Sequence, residues 1–395
     1  MSTHDVVAKG HAFAFARAGR RPDTSLAGTL LLALCTLLLT RHAQVPELTA
    51  VLAPVVLATV IATLRLRPDS AVVLPLITYS AVSALAALVM GVEPADTLRF
   101  LAIVWGVTLA TQSMPPRVHQ GWVLAPIVAQ AILIISVSVW LGLLQDDSAA
   151  LDIRAIALSG EWGDVYSQNG WYYKVQFVGN ALIPLAWMLA LEQWRQGRAH
   201  WCWTALLSLG LAAAGNLTYI LVCFVYAAWL QLKEAQRSLS RTLAVSLAIA
   251  GIVLGWATFG SDTLTEKFDG SDSSMGIRFD QIDVIREAFA EAPVAALFGH
   301  GIGARYPDGK ERAYSQSQYI ELQILYITYQ IGLAGLLLLL GTLAVALHKR
   351  MKPAGSVIFW AYMACGSTNP YIFDSNQVTA TLLLLALYGR PRYGN

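Results

Sequence analysis

The sequence predicts an all-α polytopic membrane protein of about 12 transmembrane helices, with a large, partly helical loop on the outer side between helices 9 and 10. Three observations carry that prediction. Only 13% of the 395 residues are Asp, Glu, Lys or Arg, whereas 56% are apolar and the mean hydropathy is +0.54. A soluble domain carries about a quarter charged residues, so this chain lacks the material for a fully wetted surface. Apolar runs near spanning length recur along the chain, and the charges between them segregate by side. With a net charge of +2 and no long basic run, disorder, collagen-like repeats and nucleic-acid binding are excluded as classes.

A spanning helix needs about 17–25 mostly apolar residues. Candidate runs fall at 24–40, 47–64, 70–91, 96–113, 121–144, 175–192, 201–215, 217–232, 241–259, 319–347, 354–367 and 376–389. The stretch 201–232 is too long for one crossing, and Gly215-Asn216 is its expected turn. The organisation is then a tail at 1–23 and nine spans in 24–259, interrupted by an outer loop at 145–174. A large loop at 260–318, three spans in 319–389 and a tail at 390–395 complete it. Arg20-Arg21 followed by a leucine-rich run resembles a secretion signal, but no small-x-small site follows Thr40, so an uncleaved first helix is expected.

Charge placement tests the count. With the N-terminus inside, one side carries 17 of the 27 Lys and Arg residues but only five of the 25 acids. Cations favour short cytoplasmic loops, so both ends are expected in the cytoplasm. The four cysteines all lie inside or beside apolar runs and give neither a disulfide framework nor a thiolate metal spacing.

Both outer loops exceed what connection alone requires. In the second, Phe279, Ile282, Ile285 and Phe289 recur at helical spacing opposite Asp280, Asp283 and Glu287, which predicts an amphipathic helix on the membrane face or folded back over the bundle. Familiar soluble motifs are absent. Phe298-Gly-His-Gly-Ile-Gly303 is glycine-rich but no predicted strand precedes it, and Asp269-Gly-Ser-Asp272 lacks a calcium loop's ligand pattern; no metal is expected.

Polar groups at the outer ends of the spans are the candidates for chemistry. Lys174 opens the sixth span, Arg99 the fourth, Glu321 and Gln323 the tenth, and Asp374 with Asn376 the last. Arg278, Arg286, Arg305, Lys310 and Arg312 lie in the large loop. Singly, each reads as a rim ion pair. Together, cations beside carboxylates suit a phosphate-bearing ligand at the bilayer surface. Tyr306, Tyr314, Tyr319, Tyr326 and Tyr329, with Trp162, Tyr166, Trp171, Tyr172 and Tyr173, suit either an interface belt or stacking walls for sugars. The spans read as free of mid-membrane charge and no internal repeat is visible, which favours an enzyme over a transporter.

The run Arg278-Phe-Asp-Gln-Ile-Asp-Val-Ile-Arg-Glu-Ala-Phe-Ala-Glu-Ala-Pro293, followed by Leu297-Phe-Gly-His-Gly-Ile-Gly303, Ser317-Gln-Tyr-Ile-Glu-Leu322 and Gln330-Ile-Gly-Leu-Ala-Gly335, is similar to the O-antigen ligase and polymerase superfamily. Phe177-Val-Gly-Asn-Ala-Leu-Ile-Pro184 resembles that family's Asn…Leu-Pro span, so the likeness covers roughly 160–340. It implies a multi-pass glycosyltransferase of the bacterial inner membrane with its active site facing the periplasm. The reaction implied is transfer of a glycan from undecaprenyl pyrophosphate to an acceptor hydroxyl, with no cofactor. The partners implied are lipid-linked oligosaccharides as donor and acceptor, the lipid bilayer, and a chain-length regulator; nucleic acid is not among them.

Carried over by motif, Arg278 is the expected pyrophosphate ligand and Lys174 the second cation. Glu321 is the expected base, with His300 behind it. Arg305, Arg286, Tyr319, Tyr314 and Asn180 are the expected substrate-binding residues. Two departures stand out: the Ser-Arg pair is replaced by Asn216-Leu-Thr-Tyr219, and the ligase motif's His is missing at Ser317-Gln318. These favour a polysaccharide repeat-unit polymerase over a ligase acting on lipid A core or protein; a transporter for the same lipid-linked glycan is the rival of a different class.

Overall fold

Leucine- and alanine-rich runs without interior charge leave the backbone one way to satisfy its own polar groups in lipid, which is to close hydrogen bonds within each helix. A computed structural model describes residues 26–41, 47, 51, 69–113, 118–145, 147–168, 172–235, 274–305, 322–368 and 374–390. The spans expected at 47–64 and 241–259 lie outside the described residues, as do Tyr314, Tyr319 and Glu321.

The described helices are α1 (Leu26–Arg41), α2 (Ser70–Val89), α3 (Pro94–Gln112), α4 (Gln120–Leu144), α5 (Asp147–Ser159), α6 (Ile183–Arg195), α7 (Trp201–Ala214) and α8 (Leu217–Ala235). They continue with α9 (Ser274–Glu291), α10 (Pro293–Phe298), α11 (Gln323–Arg350), α12 (Pro353–Cys365) and α13 (Ser375–Tyr388). Strands β1 (Gly163–Gln168) and β2 (Tyr172–Phe177) form an antiparallel hairpin, with Gly163 opposite Phe177 and Tyr166 opposite Lys174.

Among the described residues, three stretches are long and apolar enough to cross a membrane: Ala71–Val89, Gln120–Leu144 and Gln323–Arg350. The other described apolar helices, including Leu26–Arg41, Trp201–Ala214 and Pro353–Cys365, are shorter. The expected turn at Gly215 is present: Gly215 adopts φ 60° and closes α7 before α8 begins.

The run 175–192 is corrected. Its first residues continue β2, Val178–Leu182 form a 3-10 turn, and only Ile183–Arg195 is α-helix. Asn180 and Gly179 break the apolar periodicity, and Pro184 suits the first turn of a helix rather than its interior. The outer loop at 145–174 is likewise a built element, containing α5 and the hairpin. Arg154 on α5 clasps Asp164 on β1 through Nε at 2.8 Å and Nη2 at 3.2 Å.

Helices α1 and α4 run parallel, as three contacts in matching order show. The His119 amide donates to Thr29 Oγ1, the Thr36 hydroxyl donates to the Val123 carbonyl, and Arg41 donates to Gln130. Strand β2 descends along α4, with the Ser138 hydroxyl bonding the Tyr173 carbonyl and Gln130 bonding Asn180. Irregular backbone at this depth is tolerated only because protein surrounds it.

Where α11 and α13 end, Met351 pairs with Gly389 and the Arg390 amide donates to the Arg350 carbonyl. Lys349 Nζ lies 2.8 Å from Asp69 Oδ2, and that contact lowers the Asp69 pKa. Most buried apolar side chains form one cluster through the bundle. A smaller one gathers Ile285 and Ala288 of α9, Ala304, and Tyr329 of α11.

Candidate functional site

The segment from α9 to the first half of α11 packs around a glycine turn. Helix α11 is broken at Gly332, whose φ 66° and ψ 175° are not helical. That break frees three carbonyls, and each finds a donor. The amides of His300 and Gly301 donate to the Tyr329 and Gln330 carbonyls at 2.9 and 3.0 Å. Tyr79 of α2 donates its hydroxyl to the Ile331 carbonyl at 2.6 Å and reaches the Phe298 carbonyl at 3.1 Å. The Gln330 side-chain oxygen accepts from the Gly303 amide at 3.1 Å.

This arrangement explains why the two glycine motifs occur together. Gly299, Gly301 and Gly303 all have positive φ, and a Cβ on Gly299 would stand 2.1 Å from the Gln330 carbonyl. A Cβ on Gly332 would stand 2.3 Å from the Leu297 carbonyl. The two backbones approach so closely that side chains are excluded from both.

The amphipathic helix expected here is α9, in which Ile285 is buried beside Gln281 and Ala288, while Phe279 and Ile282 are exposed. Phe289 stacks on His300 at 5.8 Å between ring centroids, and His300 stacks on Tyr329 at 4.3 Å. His300 Nε2 is enclosed without a hydrogen-bond partner, and burial lowers the pKa of the imidazole. A neutral ring packed between two aromatics fixes the turn against α9 and α11.

Arg305 lies at the end of the turn. Its Nε bonds Asp96 Oδ2 at 2.9 Å and its Nη2 bonds Glu93, both at the start of α3. The Asp96 carboxylate, with Glu93 beside it, raises the Arg305 pKa. Arg286 pairs along its own helix with Asp283 at 3.2 Å. Arg278, half-buried, sits one turn before Gln281 and two turns before Ile285 on α9.

Lys174 and Asn180 belong to a different part of the molecule, on β2 and the 3-10 turn after it. Lys174 is buried at 7% exposure, and its aliphatic stem lies across Gly215, where α7 ends. A cation there is favoured by the carbonyl end of the helix. Tyr172, on the same side of the strand, donates its hydroxyl to the Ala212 carbonyl; burial raises that phenol to about 12. His300 and Arg305 belong to the glycine turn, Arg278 lies on the helix whose far end packs on that turn through Ile285, Ala288 and Phe289, and Lys174 and Asn180 lie on β2 and the 3-10 turn after it.

Sequence reasoning missed Arg41. Gln130 stands ten residues into α4, about 15 Å along its axis at the usual rise. Arg41 bonds it there, so a guanidinium meets α4 well inside its apolar run rather than at its end. Its position at the end of a short helix made it look like a loop residue. The available signal was Gln130 itself, a polar residue inside an otherwise apolar run.

Residues 199–340 match the family model described as O-Antigen ligase. A comparison with curated proteins finds no match. The matched segment contains Arg278, the glycine turn and the broken helix, and leaves Arg41, Lys174 and Asn180 outside it. Residues 199–340 are thus similar to the O-antigen ligase and polymerase superfamily, whose members are glycosyltransferase-like membrane enzymes that act on lipid-linked oligosaccharides.

Proposed function

We propose that the protein is a repeat-unit polymerase of the bacterial inner membrane, making O-antigen, capsule or exopolysaccharide at the periplasmic face. The acceptor hydroxyl of one lipid-linked repeat attacks the anomeric carbon of another. The bond from that carbon to the phosphate oxygen breaks, undecaprenyl pyrophosphate leaves with the electron pair, and the hydroxyl proton passes to a base. The rate depends on holding the charge that grows on the diphosphate, which is work for fixed cations. Arg278 is the principal ligand in this reading, and Lys174 is the second cation that the motif resemblance implies. Glu321 is the base, with His300 behind it. Arg286, Arg305, Tyr314 and Tyr319 line the sugar path. Neither a metal nor a nucleotide takes part.

The observation that carries the reading is the docking of the Arg278 helix onto the glycine turn and broken helix inside the family-matched segment. A loop arginine held by a bonded scaffold costs little reorganisation when charge develops. Polymerase is preferred to ligase because Ser317-Gln318 stands where the ligase motif has His. The ligase reading, with lipid A core or protein as acceptor, is supported by the description of the matched family.

Purified protein in detergent should extend lipid-linked repeats without added metal or nucleotide, and Arg278→Ala should abolish polymer at normal protein level. Wild-type chain length in that variant removes Arg278 from the site. Transfer to lipid A core without repeat extension selects the ligase.

A further inference from the structure

Arg41 is the last residue of α1, and its Nη1 donates to Gln130 Oε1 at 2.5 Å. Gln130 passes the polarity on, its Nε2 donating to Asn180 Oδ1 at 2.9 Å, and Asn180 Nδ2 donates to the Val175 carbonyl at 2.7 Å. Gln130 is fully buried and Asn180 is 5% exposed. Each amide in this relay is fixed in one orientation by its neighbour, so the guanidinium is held by a rigid, dry support.

Among the described residues no carboxylate pairs with Arg41. One of the five N–H donors of the guanidinium meets Gln130, and the fork geometry of the rest matches a phosphate. A cation at membrane depth without a countercharge is costly, and an anionic ligand removes that cost.

A second, independent observation stands in the helix packed against this one. Gln377, in the first turn of α13, is fully buried, yet neither its Oε1 nor its Nε2 has a hydrogen-bond partner. Helix α13 packs on α1 and on the 3-10 turn that carries Asn180. An enclosed amide with both ends unmet destabilises the empty protein unless a ligand completes it.

We propose that the junction of α1, α4, the 178–182 turn and α13 is a second diphosphate site, which receives the carrier lipid of the acceptor strand. Arg41 binds the phosphate oxygens, Gln377 donates to them through Nε2, and Gln130 with Asn180 orients Arg41. The assignment to the acceptor rests on the polymerase reading above, in which two lipid diphosphates must bind at once and Arg278 holds the donor. The seat for a diphosphate rests on the geometry alone.

Native mass spectrometry of the full chain with undecaprenyl pyrophosphate as the only probe tests this. Wild type should bind two copies. Arg41→Gln and Gln377→Leu should each lose one, with affinity for it reduced about tenfold or more, the scale of one charge-assisted hydrogen bond. Arg278→Ala should lose the other copy, and Arg41→Lys should recover part of the affinity lost in Arg41→Gln. Circular dichroism and a monodisperse detergent profile identify the variants that fold. In the polymerisation assay, Arg41→Gln should raise the KM for acceptor and leave that for donor unchanged.

Retention of both copies in folded Arg41→Gln overturns the proposal, as does a single copy in wild type. So does displacement of the Arg41-dependent copy by an equal concentration of phosphatidylglycerol, which would make the junction a headgroup seat. If Arg278→Ala still makes polymer while the Arg41-dependent copy persists, the donor assignment fails and the second diphosphate seat stands.

Discussion

Replacing Gly332 by Ala should release the glycine turn from α11. At φ 66° and ψ 175° the backbone sits in a region nearly reserved for glycine, at a cost of about 1–3 kcal/mol for any other residue. The added Cβ would also stand 2.3 Å from the Leu297 carbonyl, so α10 or α11 must shift. That shift puts three hydrogen bonds at risk: His300 amide to Tyr329, Gly301 amide to Gln330, and Tyr79 hydroxyl to Ile331. At about 1 kcal/mol each, and with the strain, the local loss is roughly 4–6 kcal/mol. Gly341→Ala is the matched control, since it lies in the same helix with no atom within 4 Å of the new Cβ. It should be neutral or gain up to about 1 kcal/mol from helix propensity. Limited proteolysis across 298–305 and thermal melting in detergent separate the two. Gly332→Ala that resists protease and melts like Gly341→Ala would refute the reasoning, because the break in α11 would then not be what holds the turn.

The His300 pKa lies below its ordinary value, so the unfolded chain takes up a proton first as pH falls through about 6.5, and stability declines over that window. His300→Phe keeps the stack on Tyr329 and should flatten the decline; an unchanged pH–melting curve in that variant would exclude the ring as its source. Asp69 has a lowered pKa beside Lys349, so the contact is present above about pH 4 and lost as pH falls below it; Asp69→Asn should abolish this part of the acid sensitivity in melting curves. Arg305→Ala breaks an exposed double ion pair and should leave stability nearly unchanged in chemical denaturation at low salt; a large loss would show that the pair is shielded from solvent.

The helices that follow simple apolar periodicity were legible in the sequence. Gln120–Leu144 and Ser70–Val89 fall within a residue or two of the runs that predict them, and the Gly215 turn is where the length of the 201–232 stretch demands one. Hydropathy counts residues, and it therefore misread Tyr172–Leu182, whose Tyr, Val and Phe serve a buried strand as well as a helix. The glycine turn was visible as a motif, yet its partner was not. Only coordinates show Gly299 against Gln330, because that closeness is made by long-range packing. Arg41 was hidden for the same reason, since its depth is set by Gln130, 89 residues later in the chain.

The brevity of α6, α7 and α12 bears on the surrounding lipid. At 13, 14 and 13 residues, each is about 20 Å long, against a hydrocarbon core of about 30 Å. Where such helices face acyl chains, the bilayer must thin or the chains must splay to keep apolar surface covered, at a fraction of a kcal/mol per ångström of mismatch. On such a flank the leaflet would be thinned locally, and any lipid chain resting there would carry that strain.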